Sequence, residues 1–413
     1  MTMATFQKVK LGDIAEIIMG QSPESKYYNE TGNGLPFFQG VKDFGEKYPI
    51  ETKWTTYANK VANTKDILFS VRAPVGEMNV ANKKSALGRG VCAIRSKINQ
   101  GDFLYFLLRA NIKKIINLGN GSVYDAINKP ILEKIEFFVP DIPIQARIAS
   151  ILSAYDDLIE NNEKRIKALE EMAQLLYTEW FVKFEFPVSL CHPEVAPATE
   201  GSRLLGYKSN GGKMVDSGTE YGMVPVGWVV KKLKEIANLI MGQSPTSDNY
   251  NFENQGFPFH QGVTDFGYKY PINRVYSIAG NKFAENGDLL FSVRAPVGYM
   301  NIANKKIILG RGLSAIRHKK GWQSLLYLMF DKKFTEKDMI GNGAIYKSVT
   351  KAELENLSFV VPTEYVAEYF EDIISAYFQE MEKITVSNII LSKTRDLLIP
   401  QLVTGKRELK KLT

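Results

Sequence analysis

Seam positions spaced alternately four and three apart, mostly apolar, run through two stretches of the chain. In the first they are Ile144, Ile148, Ile151, Tyr155, Leu158, Asn162, Arg165, Leu169, Met172 and Leu176. In the second they are Val366, Phe370, Ile373, Tyr377, Glu380, Ile384, Ser387, Leu391, Thr394 and Leu398. A repeat averaging 3.5 residues marks a helix that packs along another helix. Neither stretch contains glycine, and neither has proline through its middle. The pattern predicts long helices over 141–183 and 363–399. At 1.5 Å per residue the first would be about 60 Å long. Each alone would expose an apolar stripe, so the economical arrangement pairs the two. An antiparallel pairing is favoured because a two-fold relation closes and uses the same seam from both sides.

The stretches before each helix are copies of one another. "DILFSVRAPVG" (66–76) returns as "DLLFSVRAPVG" (288–298), and "FQGVKDFG" (38–45) as "HQGVTDFG" (260–267). "IIMGQSPESKYY" (17–28) and "NVANKKSALGRGVCAIR" (79–95) return as "LIMGQSPTSDNY" (239–250) and "NIANKKIILGRGLSAIR" (301–317). Every pair is offset by 222 with no insertion. Two copies at so long an offset exclude a solenoid or propeller. Residues 187–223 have no counterpart and are rich in Pro, Gly and Ser, so they read as a surface linker. The expected organisation is a domain over 1–140, a spacer helix over 141–186, the linker 187–223, a second domain over 224–362, and a second spacer helix with a C-terminal segment over 363–413.

Within each copy the pattern predicts a mixed α/β fold. "KLGDIAEII" (10–18) reads as a short helix, "DILFSV" (66–71) and "VCAIRS" (91–96) as strands. "FLYFLLRANIKKIINL" (103–118) reads as one amphipathic helix ended by "GNG", and "IEFFVP" (135–140) as a last strand stopped by Pro140.

With 413 residues, 45% of them hydrophobic, the chain is long enough for several cores and too apolar to be disordered. It has no run of about 18 apolar residues and no signal-peptide core at its start, which gives a cytoplasmic expectation. Cys92 aligns with Ser314, so it reads as a small buried hydrophobe and not half of a functional pair. The net charge of +7 is concentrated. Residues 1–140 carry +6 and residues 184–362 carry +5, while 141–183 and 363–413 carry −3 and −1. Two basic blocks suggest two contacts with a polyanion, nucleic acid above all, although solvated surface would give the same numbers.

Signatures of catalysis are missing. The three histidines, His192, His260 and His318, have no metal-ligand spacing. There is no P-loop, no dinucleotide fingerprint, no nucleophile elbow and no Asn/Asp-Pro-Pro-aromatic methyltransferase tetrapeptide. No catalytic or metal-binding residue is assigned; a repeated binding module fits better than an enzyme.

At this level the chain resembles the DNA-specificity (S) subunit of type I restriction–modification enzymes, over nearly its whole length. The resemblance is carried by "GQSP", "QGV.DFG", "SVRAPVG" and "GRG..AIR" in each copy. It is carried too by "QARIASILSAYDDLIENNEKRIKALEEMAQLLYTEWFVKF" (145–184) and "LLIPQLVTGKREL" (397–409). It implies two target-recognition domains, each reading half of a bipartite double-stranded DNA site. It implies two spacer helices that dock methyltransferase (M) subunits, usually two, which methylate adenine N6. Restriction (R) subunits would join them, and S-adenosylmethionine, magnesium and ATP would belong to these partners, with no cofactor and no membrane contact in this chain. The specificity chain itself would be non-catalytic. The alternatives are a stand-alone architectural or regulatory DNA-binding protein, or a nuclease whose carboxylates converge only in three dimensions.

Because the copies match even in their loops, similar half-sites and a near-palindromic target are expected. Arg72 and Arg294, at strand ends before Ala-Pro, either contact guanine or pair within the domain. Arg89 and Arg311, between glycines, either approach phosphate or occupy a tight turn. Gln39 and Gln261 either read adenine or brace a turn. Lys83, Lys84, Lys305 and Lys306 read as phosphate contacts. "GNG" at 119–121 and 341–343 reads as a helix C-cap ahead of an anion nest, and Tyr124 and Tyr346 as core. Trp180, Phe181, Gln401 and Leu402 are candidates to face an M subunit, with Trp180 as anchor. Asn162 and Arg165 could set the register of the seam.

Overall fold

The computed structural model describes residues 6–119, 126–191, 206–336 and 348–407. His192, Tyr124, Tyr346 and nearly all of both "GNG" triplets lie outside these. The chain forms two units, Met1–Asn161 with Asn388–Thr413, and Asn162–Ser387. Each holds one copy of the repeat and a segment of each long helix.

Unit 1 begins β1 (Gln7–Lys10), α1 (Leu11–Ile14), β2 (Ala15–Met19), β3 (Tyr28–Asn29), β4 (Leu35–Phe38), β5 (Trp54–Thr55) and β6 (Val61–Ala62). It continues β7 (Ile67–Ser70), β8 (Met78–Val80), β9 (Ser85–Leu87), β10 (Val91–Ser96), α2 (Gly101–Ala110), α3 (Ile112–Gly119), α4 (Lys129–Glu133) and β11 (Glu136–Val139). Its main antiparallel sheet has the order β2-β10-β7-β8. A second sheet runs β3-β5-β4-β9-β6, with β4 and β9 parallel.

The main sheet is covered on both faces, and its side-chain alternation shows it. Ile67 and Phe69 of β7, with Cys92 and Ile94 of β10, join Phe103 and Leu107 of α2 in one core. Leu68, Val91 and Ala93 point the other way and join Phe38 and Leu87 of the second sheet. Cys92 is fully buried, and burial pushes its thiol up to about 12, as a small apolar residue should behave.

The chain next forms α5 (Ile142–Tyr177), β12 (Met214–Asp216), β13 (Met223–Pro225), β14 (Val229–Lys232), α6 (Leu233–Ile236) and β15 (Ala237–Met241). Then come β16 (Tyr250–Asn251), β17 (Phe257–His260), β18 (Tyr276–Ser277), β19 (Phe283–Ala284), β20 (Leu289–Ser292), β21 (Met300–Ile302), β22 (Ile307–Leu309) and β23 (Leu313–His318). The chain closes with α7 (Gln323–Glu336), α8 (Lys351–Glu355), β24 (Ser358–Val361) and α9 (Glu364–Val403). Unit 2 has the same sheet orders, β15-β23-β20-β21 and β16-β18-β17-β22-β19. No helix of the described residues is long and apolar enough to cross a membrane.

Four expectations change. "KLGDIAEII" is a single helical turn followed by β2, because the alternation of Ala15 and Ile17 with polar Glu16 suits a strand. The helix read over 103–118 is broken at Asn111, whose side-chain amide donates to the Leu107 carbonyl at 2.8 Å. The expected surface linker is in part folded: Tyr207 stacks on Phe186 at 4.7 Å, Leu190 is buried, and β12 pairs with β13. The fourth change concerns the seam.

On α5 the expected Ile148 is buried, as are Leu152, Ile159, Ile166 and Ala173, with Trp180 in the turn that follows, while Leu158, Arg165 and Met172 are exposed. On α9 they include Ile374 and Met381 beside the expected Phe370 and Ile384. Ile151, Leu158, Arg165 and Met172 on α5, and Ile373 and Glu380 on α9, therefore each yield the seam to the next residue, in the same sense on both helices. Within each unit the two helices pack antiparallel. In unit 1 Arg395 reaches Asp156 at 2.5 Å and the Asn388 amide reaches the Ile159 carbonyl. In unit 2 Arg165 pairs with Glu380 at 2.9 Å while Trp180 lies against Phe370 at 5.3 Å. Arg165 is thus an edge ion pair and not a seam residue.

Candidate nucleic-acid interface

Three short segments of unit 1 are laced together by backbone hydrogen bonds. The Gly88 N–H donates to the Phe38 carbonyl at 2.8 Å, and the Val71 N–H donates to Gly90 at 2.9 Å. These bonds place Gln39, Arg72 and Arg89 around one cleft of about 290 Å³, with Ser22 on its wall. The glycines permit the approach. A Cβ on Gly90 would sit 2.3 Å from the Gln39 carbonyl oxygen, and one on Gly88 would sit 2.9 Å from the Gln39 Cα. Arg89 is therefore held at the tip of a turn pressed against the glutamine loop.

The arginine loop is fixed by a serine. Ser70 Oγ donates to the Pro74 carbonyl at 2.8 Å and accepts from the Glu77 N–H at 2.9 Å, closing the loop around the cis Ala73–Pro74 bond. Behind Arg72, the Ile127 N–H donates to the Val71 carbonyl at 2.9 Å. Unit 2 repeats the construction: Gly310 to His260, Val293 to Gly312, and Ser292 to Pro296 and Tyr299, at 2.8 to 2.9 Å.

Arg72, Arg89, Arg294 and Arg311 are all exposed, and none makes an ion pair among the described residues. The domain's paired arginines are instead Arg95 and Arg317, clamped on Asp66 and Asp288. Gln39 is half-buried and Gln261 exposed. The lysines divide. Lys83 pairs with Glu51 at 2.8 Å, and Lys306 pairs with Glu285 at 3.1 Å while lying over the Phe283 ring. Lys84 and Lys305 are exposed and free of ion pairs among the described residues. None of the four lines the cleft.

The partner-facing assignment is corrected for three residues. Trp180, Phe181 and Leu402 are 5%, 6% and 4% exposed, covered by their own unit. Trp180 and Phe181 pack on Phe370, and Leu402 joins Leu152 and Leu107 in the core of unit 1. The physical reason is the repeat: residue 180 and residue 402 are the same seam position one copy apart, and each closes a helix against its domain. Gln401 is half-buried.

Sequence reading missed the residues that hold the cleft in shape. Asp43 is buried and accepts from the N–H groups of Gln39, at 2.6 Å, and Gly40, at 3.3 Å. Ser22 and Ser244 accept from the Arg89 and Arg311 N–H groups at 3.3 and 3.1 Å. All of these lie in strings shared by both copies, and that identity was the available signal. Among the described residues no group of three or more His, Cys, Asp and Glu could hold a metal.

The architecture is matched elsewhere. The family described as type I restriction modification DNA specificity domain matches residues 3–171 and again 225–390. The putative type I restriction enzyme MjaX specificity subunit of Methanocaldococcus jannaschii is 40% identical over 183 residues, 40% of this chain and 43% of that one. The type I restriction enzyme MjaIX specificity subunit of the same organism is 23% identical over 432 residues, 98% of this chain and 94% of that one. Among solved structures, the type I restriction–modification S subunit from M. genitalium shares the fold at TM-score 0.60 and 16% identity, covering 99% of this chain and 97% of its own. Two matches to one domain family, falling on the two copies of one repeat, show that this chain belongs to the type I restriction–modification DNA specificity family.

Proposed function

We propose that this chain is the non-catalytic DNA-specificity subunit of a type I restriction–modification complex. Each recognition domain reads one half of a bipartite, near-palindromic site. The observation that carries this is the duplicated cleft: the same glutamine and two arginines without an ion pair among the described residues, set by the same backbone bonds, in both family-matched domains. Arginine and glutamine are the side chains that read guanine and adenine edges bidentately in the major groove. Lys84 and Lys305 suit phosphate contacts, which position without specifying. The exposed faces of α5 and α9, with Leu158, Met172, Leu175, Ile390 and Leu397 all at least half exposed, suit docking of methyltransferase subunits, two by the symmetry of the repeat. Those partners would supply S-adenosylmethionine-dependent methylation of adenine N6, and restriction subunits the ATP- and magnesium-dependent cleavage. Co-expression with the methyltransferase encoded beside this chain, followed by mapping of methylated adenine, tests the proposal: a split motif supports it, and unmethylated DNA contradicts it.

A further inference from the structure

The two clefts share their residues but not the way the glutamine is held. In unit 1 the carboxylate of Asp43 fixes the backbone of Gln39 and Gly40, and the Gln39 side-chain amide makes no hydrogen bond among the described residues. In unit 2 the equivalent Asp265 is turned to Arg274, whose Nε donates to it at 2.9 Å, and it makes no bond to the Gln261 loop. There Ser244 takes over. Its Oγ accepts from the Arg311 N–H at 3.1 Å, so its own proton is left to donate, and it goes to Gln261 Oε1 at 2.7 Å. Ser244 takes one of the two lone pairs of the Gln261 amide oxygen and ties that oxygen to the cleft wall, whereas the Gln39 amide is untied.

The rewiring traces to one cluster of differences between the copies. Thr52 becomes Arg274, Glu51 becomes Asn273, and Phe38 becomes His260. Glu51 is pulled aside by Lys83 in unit 1, whereas in unit 2 Asn273 Oδ1 accepts from His260 Nε2–H at 2.9 Å. His260 is buried immediately before Gln261. The strand pairing beneath is kept: Phe37 N–H to Lys53 and Phe259 N–H to Val275 are both 2.8 Å. The hold has moved from the loop's backbone to the glutamine's oxygen.

From this geometry we infer that Arg274, acting through Asp265 and Ser244, is a specificity-determining positioning residue that makes the two half-sites differ at one base pair. A free glutamine amide both donates and accepts, and so matches adenine N6 and N7. A glutamine whose oxygen is tied to Ser244 is held from setting both its oxygen and its NH₂ on adenine and meets the base through its NH₂, which matches the acceptors of guanine or thymine. The half-site read by unit 1 then carries adenine at the glutamine position, and the other carries guanine or thymine. The inference rests on the DNA-specificity reading above.

The test is selection of a random duplex library by the full chain co-expressed with its neighbouring methyltransferase, for wild type, Arg274→Thr, Ser244→Ala and the reciprocal Thr52→Arg. Expected is a split motif with one unlike position, at which Arg274→Thr or Ser244→Ala moves one half toward adenine by about ten-fold. Thr52→Arg should relax adenine in the other half only. An enriched motif with identical halves, or one unmoved by all three variants, overturns the inference and leaves the specificity reading standing. No enriched motif overturns both. Arg274 is exposed, so thermal unfolding of Arg274→Thr should match wild type and separate a specificity change from loss of fold.

Discussion

Arg95 grips Asp66 with both arms of its guanidinium, Nε to Oδ1 at 2.9 Å and Nη2 to Oδ2 at 2.7 Å, and Arg317 repeats the grip on Asp288 at 2.7 Å twice. The arginine of "AIR" is therefore a strut between β10 and the loop before β7, while the arginines of "SVRAP" and "GRG" have no ion pair among the described residues. Asp66 also accepts from the Asn63 N–H at 2.7 Å and is 4% exposed. Removing its charge leaves a buried, half-satisfied network. Asp66→Asn should destabilise by about 2 kcal/mol, since breaking such a pair costs most when a partner stays buried. Denaturant unfolding measures it; a loss below about 0.5 kcal/mol would show the pair to be ornamental surface.

The cleft arginines should behave in the opposite way. Arg72→Ala and Arg294→Ala should leave the melting temperature unchanged while relaxing one position of one half-site each, by about 1–3 kcal/mol of discrimination. Lys84→Ala should weaken all sequences equally and lower the salt slope by about one unit. Binding titrations at several salt concentrations distinguish the two. A fall in stability with intact specificity would place Arg72 among the structural residues.

Trp180→Ala and Leu402→Ala should each cost about 2–5 kcal/mol, because each empties a buried site at the end of a helix. Chemical unfolding monitored separately for the two domains should show the Trp180 loss in unit 2 and the Leu402 loss in unit 1. Variants that unfold like wild type yet fail to bind a methyltransferase would restore the interface role that burial argues against.

His318 gives unit 2 a titratable group where unit 1 has Ser96. Its Nδ1 accepts from the N–H groups of Lys320 and Trp322 at 3.2 and 3.3 Å. Ser96 Oγ does the same for Ile98 and Gln100 in unit 1. Burial, with a smaller push from Lys320, lowers the His318 imidazole to about 4, so the folded state holds it neutral. The unfolded chain binds its proton below about 6.5 and the folded chain only below about 4. Stability from this group is full above pH 6.5 and is lost as the pH falls toward 4. His318→Ser, which installs the unit 1 residue, should flatten the stability of unit 2 across that window by on the order of 2 kcal/mol. Parallel pH profiles for wild type and variant would remove the histidine from the account.

Much of this was legible because the chain says it twice. The repeat located the matching loops and the buried Cys92. The seam was placed only in part, because Ile151–Leu152, Leu158–Ile159, Met172–Ala173 and Ile373–Ile374 are adjacent apolar pairs, and a heptad count accepts either member. Arg165 beside Ile166 and Glu380 beside Met381 held the answer, since a polar residue next to an apolar one yields the seam to it. The folded part of 206–223 was hidden by its glycines, which serve a hairpin here and not a flexible tether. The cleft residues were picked by chemistry, but their supports could not be, because Asp43 and Ser22 act on backbone groups that no side-chain pattern displays.

The most direct test of the account is adenine-methylation mapping in a host that expresses this chain with its neighbouring methyltransferase, with and without Arg72→Ala and Arg294→Ala. The account predicts one split motif with closely similar inverted halves, each variant blurring a different half. Methylation that is absent, unsplit, or indifferent to both arginines would contradict it.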